Sequence, residues 1–127
     1  MNTNQHELIH KELSFRIMKS VMDVHNNLGT GFLEKVYENA VVIKLKKDGL
    51  KVVQQAPFKI YFEGQLIGEY YADILVEDKI ILEAKCVEQL TNIHRAQVLN
   101  YLKATELKLG IIVNFAKPKL EYERIVL

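Results

Sequence analysis

A chain of 127 residues with 49% hydrophobic and 26% charged side chains has the size and balance of one folded domain, which excludes disorder and fibrous repeats. Seventeen Lys plus Arg against sixteen Asp plus Glu leave a net charge of +1, so no strong global field draws the chain to polyanions or membranes. No apolar run is long enough to cross a bilayer, no secretory pattern opens the chain, and one cysteine, Cys86, excludes an internal disulfide framework and fits a cytoplasmic setting.

No repeat, low-complexity segment or linker divides the sequence, so residues 1–127 read as one domain with residues 1–6 expected to be flexible. Leu13, Ile17, Val21 and Val24 form a helical stripe over about 7–27, broken at Gly29-Thr30-Gly31. A second helix is expected over about 32–47, with Leu33, Val36, Tyr37, Ala40, Val41 and Leu45 inward and lysines outward. The period then falls from 3.6 to 2. Val52-Val53, residues 58–62, 70–76 and 80–85 read as strands, joined by hairpins at Glu63-Gly64-Gln65 and Glu77-Asp78-Lys79. A third helix is expected over about 89–103, then an apolar strand from Leu109 to Asn114 and an edge strand from Tyr122 to Val126. That order gives a mixed sheet flanked by helices, in the α/β or α+β class.

Charge is unevenly spread. Six carboxylates, from Glu63 to Glu83, fall within 21 residues, and Lys44, Lys46, Lys47 and Lys51 form a basic stretch. The E-x-K spelling occurs three times, but only Glu83 and Lys85 lie within an apolar strand. Two residues apart, they share one face while Leu82, Ala84 and Cys86 take the other. A three-residue hairpin at 77–79 sets Val76 opposite Ile80 and Asp73 opposite Glu83. Facing carboxylates repel each other in a sheet unless a divalent cation lies between them; otherwise they are strand-end residues in water. Both readings stay open on spacing alone.

Asp73, nine residues, then Glu83-Ala84-Lys85 resembles the PD-(D/E)xK nuclease signature. Gly31-Phe-Leu-Glu34-Lys-Val-Tyr37 is similar to the G-x-x-E-x-x-Y signature of a small family within that superfamily, as are Val24-His25-Asn-Asn-Leu-Gly29 and Gly110-Ile-Ile-Val-Asn114-Phe115. Gln97-Val-Leu-Asn-Tyr101 resembles the Q-x-x-x-Y element of RecB-type exonuclease domains. Thr30 and Cys86 depart from an expected Pro and Ala without removing a chemical group. The resemblance spans about residues 10–125 and implies a restriction-endonuclease-like fold, with core order helix, three strands, helix, strand and an extra N-terminal helix. It implies Mg²⁺ or Mn²⁺ held by Asp73, Glu83, the Ala84 carbonyl and Glu34. It also implies that Lys85 acts on the attacking water and that Gln97 and Tyr101 position phosphate or lysine. The partner implied is nucleic acid, DNA before RNA, with a homodimer left open and no membrane. The competing reading is a non-catalytic nucleic-acid- or protein-binding module that retains the fold.

Other residues have ordinary explanations beside functional ones. Glu34 in a first helical turn gains from the helix dipole whether or not it meets a metal. Tyr37 reads as a packing residue, Cys86 as a small buried hydrophobe, and His25 either as a neighbour of the site or as a helix-end histidine. His94 shares a helix face with Gln97 and Tyr101. His6-Glu7-Leu-Ile-His10 spells a zinc-protease word but lacks a third ligand and a supporting buried helix.

Overall fold

The computed structural model describes residues 9–127. The expected flexible start at 1–6, and His6 and Glu7 of the zinc-like word, lie outside the described residues. His10 stands at the N-cap of helix α1, Lys11–Leu28, in a left-handed conformation with φ 49°. Ile17, Val21 and Val24 are buried along α1 at helical spacing. Gly29, at φ 70°, closes the helix by donating its N–H to His25 O at 2.8 Å; a side chain at that φ is strained.

Helix α2, Glu34–Lys47, buries Tyr37, Val41 and Leu45, and also Val42 and Glu38. Leu33 and Val36, expected inward, are 79% and 39% exposed. Leu33 lies ahead of the helix in extended backbone, and Val36 falls at the border of the buried face.

Strands β1, Val52–Phe62, and β2, Gln65–Val76, form one long antiparallel ribbon rather than separate short runs. Pro57 does not interrupt β1, because β1 is an edge strand where a missing N–H is tolerated. The first hairpin turns on Glu63 and Gly64 alone, at φ 48° and 78°, so Gln65 belongs to the strand. The second has three residues, and Val76 pairs with Ile80 as the spacing predicts. Strand β3 is Ile80–Lys85. Helix α3, Asn92–Thr105, begins later than expected because Thr91 and His94 make a capping box. Strand β4, Leu109–Asn114, is wholly buried, and β5, Glu121–Val126, forms the far edge.

The sheet order is β1-β2-β3-β4-β5, antiparallel except for β3 with β4, which α3 connects as a crossover. Helices α1 and α2 cover one face, packed on Ile74, Val76, Ile80, Leu82, Ile111 and Val113. Helix α3 covers the other, on Ile81, Ile112 and Ala72. At Gly110 a Cβ would lie 2.6 Å from Val98 Cγ1, so glycine lets α3 approach β4 closely. This mixed sheet between helices is the arrangement that the element order predicted, and it is the restriction-endonuclease-like architecture that the resemblance implied. No described helix is long and apolar enough to cross a membrane.

Strand β2 changes faces partway along. Tyr70 and Ala72 pack on the α3 side, whereas Ile74 and Val76 pack on the α1/α2 side. Simple alternation forbids that for residues of equal parity, so the ribbon kinks between them. Residue 73 sits at the kink, and the β1 residue facing it, Gln55, has φ 52°.

Candidate active site

The kink delivers Asp73 to the end of β3. The last β2–β3 pair is Ile74 with Leu82, so Asp73 and Glu83 are the next residues on that register. The Asp73 carboxylate accepts the Ala84 N–H at 3.0 Å. Burial raises the Asp73 pKa, against the Ala84 N–H, and Glu38 raises it further.

Glu83 points to the α3 face and is only 6% exposed. The Tyr70 hydroxyl donates to its carboxylate. Burial pushes its pKa up to about 7; Lys85 and the Asp73 N–H oppose the rise, while Glu38 and Glu34 add to it. Each carboxylate is thus braced by the backbone of the other's strand. The Tyr70 ring stacks on Tyr101 at a centroid distance of 3.4 Å. Burial also raises the Tyr101 pKa, with Glu83 adding to it and a hydrogen bond to Gln97 opposing. Tyr101 and Gln97 therefore lie together above Glu83 on the α3 face. Half-buried Lys85 lies near enough for its charge to act on both carboxylates.

Glu34 approaches from α2 and accepts the Cys86 N–H at 3.0 Å, one residue beyond Lys85. Cys86 is half-buried rather than buried, and its thiol pKa is raised by burial and by Glu34. Among the described residues, no three His, Cys, Asp or Glu side chains are grouped tightly enough to hold a metal ion. Asp73, Glu83 and Glu34 thus ring the end of β3 without forming a closed cage. The donor set still suits a hard cation. It offers two burial-strained carboxylates beside a backbone carbonyl, and Mg²⁺ takes one or two carboxylates with water completing its shell.

Other sequence candidates fall elsewhere. His25 is buried against Phe115 and hydrogen-bonds Lys117 O at 2.9 Å, on the α1 side of the sheet. Tyr37 stacks on Phe115 and donates its hydroxyl to Gly29 O at 2.6 Å, a structural role. The His94 ring is spent on its helix cap, accepting the Thr91 N–H at 3.1 Å. Lys44 lies near Asp23 and Asp48 at the far end of α2, roughly 15 Å along the axis from Glu34.

Sequence reasoning missed three residues. Glu38, 4% exposed, accepts hydrogen bonds from Gln54, Lys35 and Gln55 at 2.6, 2.9 and 3.1 Å. Burial raises its pKa, but those donors together hold it below the usual carboxylate range. Gln55 also reaches Asp73 Oδ1 at 3.4 Å, and Tyr70 holds Glu83. Glu38 lies one turn beyond Glu34, the only signal in the sequence that pointed to it.

No curated protein matches the chain. Among solved structures, the crystal structure of SSO0001 is similar in fold, with a TM-score of 0.57 at 17% identity, over 72% of this chain and 48% of that one. The present chain thus spans about half the length of that protein. The family model of the PD-(D/E)XK nuclease superfamily matches residues 11–125. With the mixed sheet, the kinked β2 and the acidic end of β3, that match shows that the chain belongs to the PD-(D/E)XK nuclease superfamily.

Proposed function

We propose that the chain is a single-domain, divalent-metal-dependent nuclease that hydrolyses phosphodiester bonds, in DNA before RNA, and that it belongs to the GxxExxY branch of its superfamily. The observation that carries this reading is the Asp73–Glu83 pair: two carboxylates brought to the end of β3, each braced by the backbone of the other's strand and disfavoured in its charged form by burial. Such a pair costs stability unless a cation neutralises it. Gly31, Glu34 and Tyr37 supply the branch signature, and Glu34 reaches the end of β3.

In this reading Asp73, Glu83 and the Ala84 carbonyl hold Mg²⁺ or Mn²⁺, with Glu34 reaching it from α2. A bound cation would polarise the phosphate and lower the pKa of its water. Lys85, whose charge acts on both carboxylates, orients the attacking water and offsets charge developing on the phosphate. Gln97 and Tyr101 position the scissile phosphate, and Tyr70 fixes the Glu83 rotamer. The half-buried free thiol of Cys86 suits a reducing cytoplasm.

Calorimetry with Mg²⁺ and Mn²⁺, paired with cleavage assays on single- and double-stranded DNA and on RNA, tests the reading. Binding that Asp73→Asn removes, together with metal-dependent cleavage, is the expected result. The near-neutral charge and the open arrangement of the carboxylates favour one other reading, a binding module that keeps the fold. Absence of metal binding by the wild type would decide for that module.

A further inference from the structure

Strand β1 is distorted beside Asp73. The ladder pairs Gln54 with Ile74 and Ala56 with Ala72, so Gln55 faces Asp73 without being paired to it. Gln55 has φ 52°, a left-handed backbone that a residue other than glycine adopts at a cost. Consecutive residues of a regular strand point to opposite faces. Here the amides of Gln54 and Gln55 both reach Glu38, at 2.6 and 3.1 Å. The turned backbone at Gln55 is what brings them to one side.

Glu38 is the acceptor on which both amides converge. It is 4% exposed, and Lys35 donates to it as well, at 2.9 Å. Burial opposes its charge, but Gln54, Lys35 and Gln55 together keep it ionised. A glutamine amide has two unlike ends, since its nitrogen donates and its oxygen only accepts. Beside an ionised carboxylate the nitrogen must turn inward, because the oxygen would face another acceptor. The same nitrogen of Gln55 lies 3.4 Å from Asp73 Oδ1. On the other side, the Ala84 N–H holds Asp73 Oδ2 at 3.0 Å. Both Asp73 oxygens therefore meet a donor, one from β1 and one from β3, and each keeps a lone pair for a cation.

We propose that Glu38 and Gln55 are positioning residues of the site. Glu38 fixes the Gln55 amide with its nitrogen inward, and Gln55 holds the Asp73 carboxylate in the orientation that receives a cation. Three donors already occupy Glu38, so it acts through Gln55 rather than as a ligand. This assignment rests on the metal-dependent reading of Asp73 and Glu83, which itself uses neither Glu38 nor Gln55.

Calorimetry of the full chain with Mn²⁺, run beside thermal melting of the metal-free protein, tests this. Gln55→Gly removes the amide, while glycine adopts φ 52° freely, so the kink survives and the melting temperature should change little. Mn²⁺ affinity should nevertheless fall by about 10–100-fold, the usual loss when a group that orients a metal ligand is removed. Glu38→Gln should weaken binding by a similar factor, because an amide at 38 no longer dictates which end of Gln55 meets Asp73. The double variant should lose no more than the weaker-binding single variant, since both act through one contact. Saturating Mn²⁺ should return the cleavage rate of Gln55→Gly to the wild-type level, because Asp73 itself remains. Gln55→Gly keeps the test open if Glu38→Gln fails to fold. A wild type that binds Mn²⁺ while Gln55→Gly binds it equally well overturns the proposal and leaves the nuclease reading standing. Losses that add in full in the double variant do the same. An affinity loss that comes only with a large fall in melting temperature makes Gln55 a structural residue and also overturns it, as does a rate that stays low at saturating Mn²⁺. A wild type that binds no Mn²⁺ overturns the proposal and the nuclease reading together.

Discussion

The two faces of the central sheet are built on different terms. Under α1 and α2 lie Ile74, Val76, Ile80, Leu82, Ile111 and Val113, all fully buried, with Tyr37 and Phe115 stacked across them. Under α3 the same strands present Glu83 and Tyr70, on which Tyr101 of α3 stacks, and α3 buries only Val98 and Leu102 of its own residues. One face is an aliphatic core that stabilises; the other gives up apolar burial to hold a carboxylate in a dry setting. The aliphatic side supplies the stability that offsets this burial of polar groups, while Glu34 and Glu38 reach the end of β3 from α2.

Substitutions on each face measure how sharp that division is. The largest effect expected is on activity: Lys85→Met should lower metal-dependent cleavage by roughly 10²–10⁴-fold with little change in melting temperature, since it keeps the apolar stem. Equal cleavage by variant and wild type would remove Lys85 from the chemistry. On the other face, Ile111→Ala should cost about 2–5 kcal/mol in denaturant unfolding, because a fully buried side chain leaves a cavity.

Glu83 makes the contrast visible through pH. Its folded pKa of about 7 lies above the unfolded value, so its protonated form favours folding. That contribution is complete below about pH 4.5 and is lost as pH rises through 7, a change on the order of 3 kcal/mol. Metal-free wild type should therefore lose stability between pH 5 and 8, and Glu83→Gln should flatten the slope. An unchanged slope in the variant would mean that another group sets it. Asp73→Asn should leave the metal-free protein as stable or more stable, since the carboxylate is held against burial and the amide keeps an oxygen for the Ala84 N–H. A large loss would make Asp73 a structural partner instead.

A further test is steric. Gly110→Ala brings a methyl group against Val98 Cγ1 and should cost roughly 1–3 kcal/mol by pushing α3 outward. If that shift loosens the Tyr70–Tyr101 stack, metal affinity should fall with it; unchanged affinity would show that α3 serves only as a cover.

The sequence exposed those parts of this arrangement that depend on local period. The stripe of α1, the buried strand β4, the Val76–Ile80 register and the shared face of Glu83 and Lys85 follow from spacings within a few residues. Glu38, Gln55 and Tyr70 were not visible, because each matters only after β2 kinks and α2 docks against β1. His25 was ambiguous for the same reason: Lys117, its partner, is far along the chain. The run Gln54-Gln55-Ala56-Pro57 looks like a break, and only its place on an edge strand lets β1 continue through it.

The parallel join of β3 to β4 has a consequence in time. The β1–β2 and β2–β3 hairpins close turns of two and three residues, whereas β3 meets β4 only after residues 86–108 have been looped back. Closing the longer loop carries an entropic cost before any pairing offsets it, so the hairpins form first. During folding, Glu83 therefore remains in water until α3 docks over it, and is desolvated in that late step. A divalent cation that binds the finished site acts after this barrier from the unfolded side. It should leave the folding rate nearly unchanged and slow unfolding, lengthening the life of the native state.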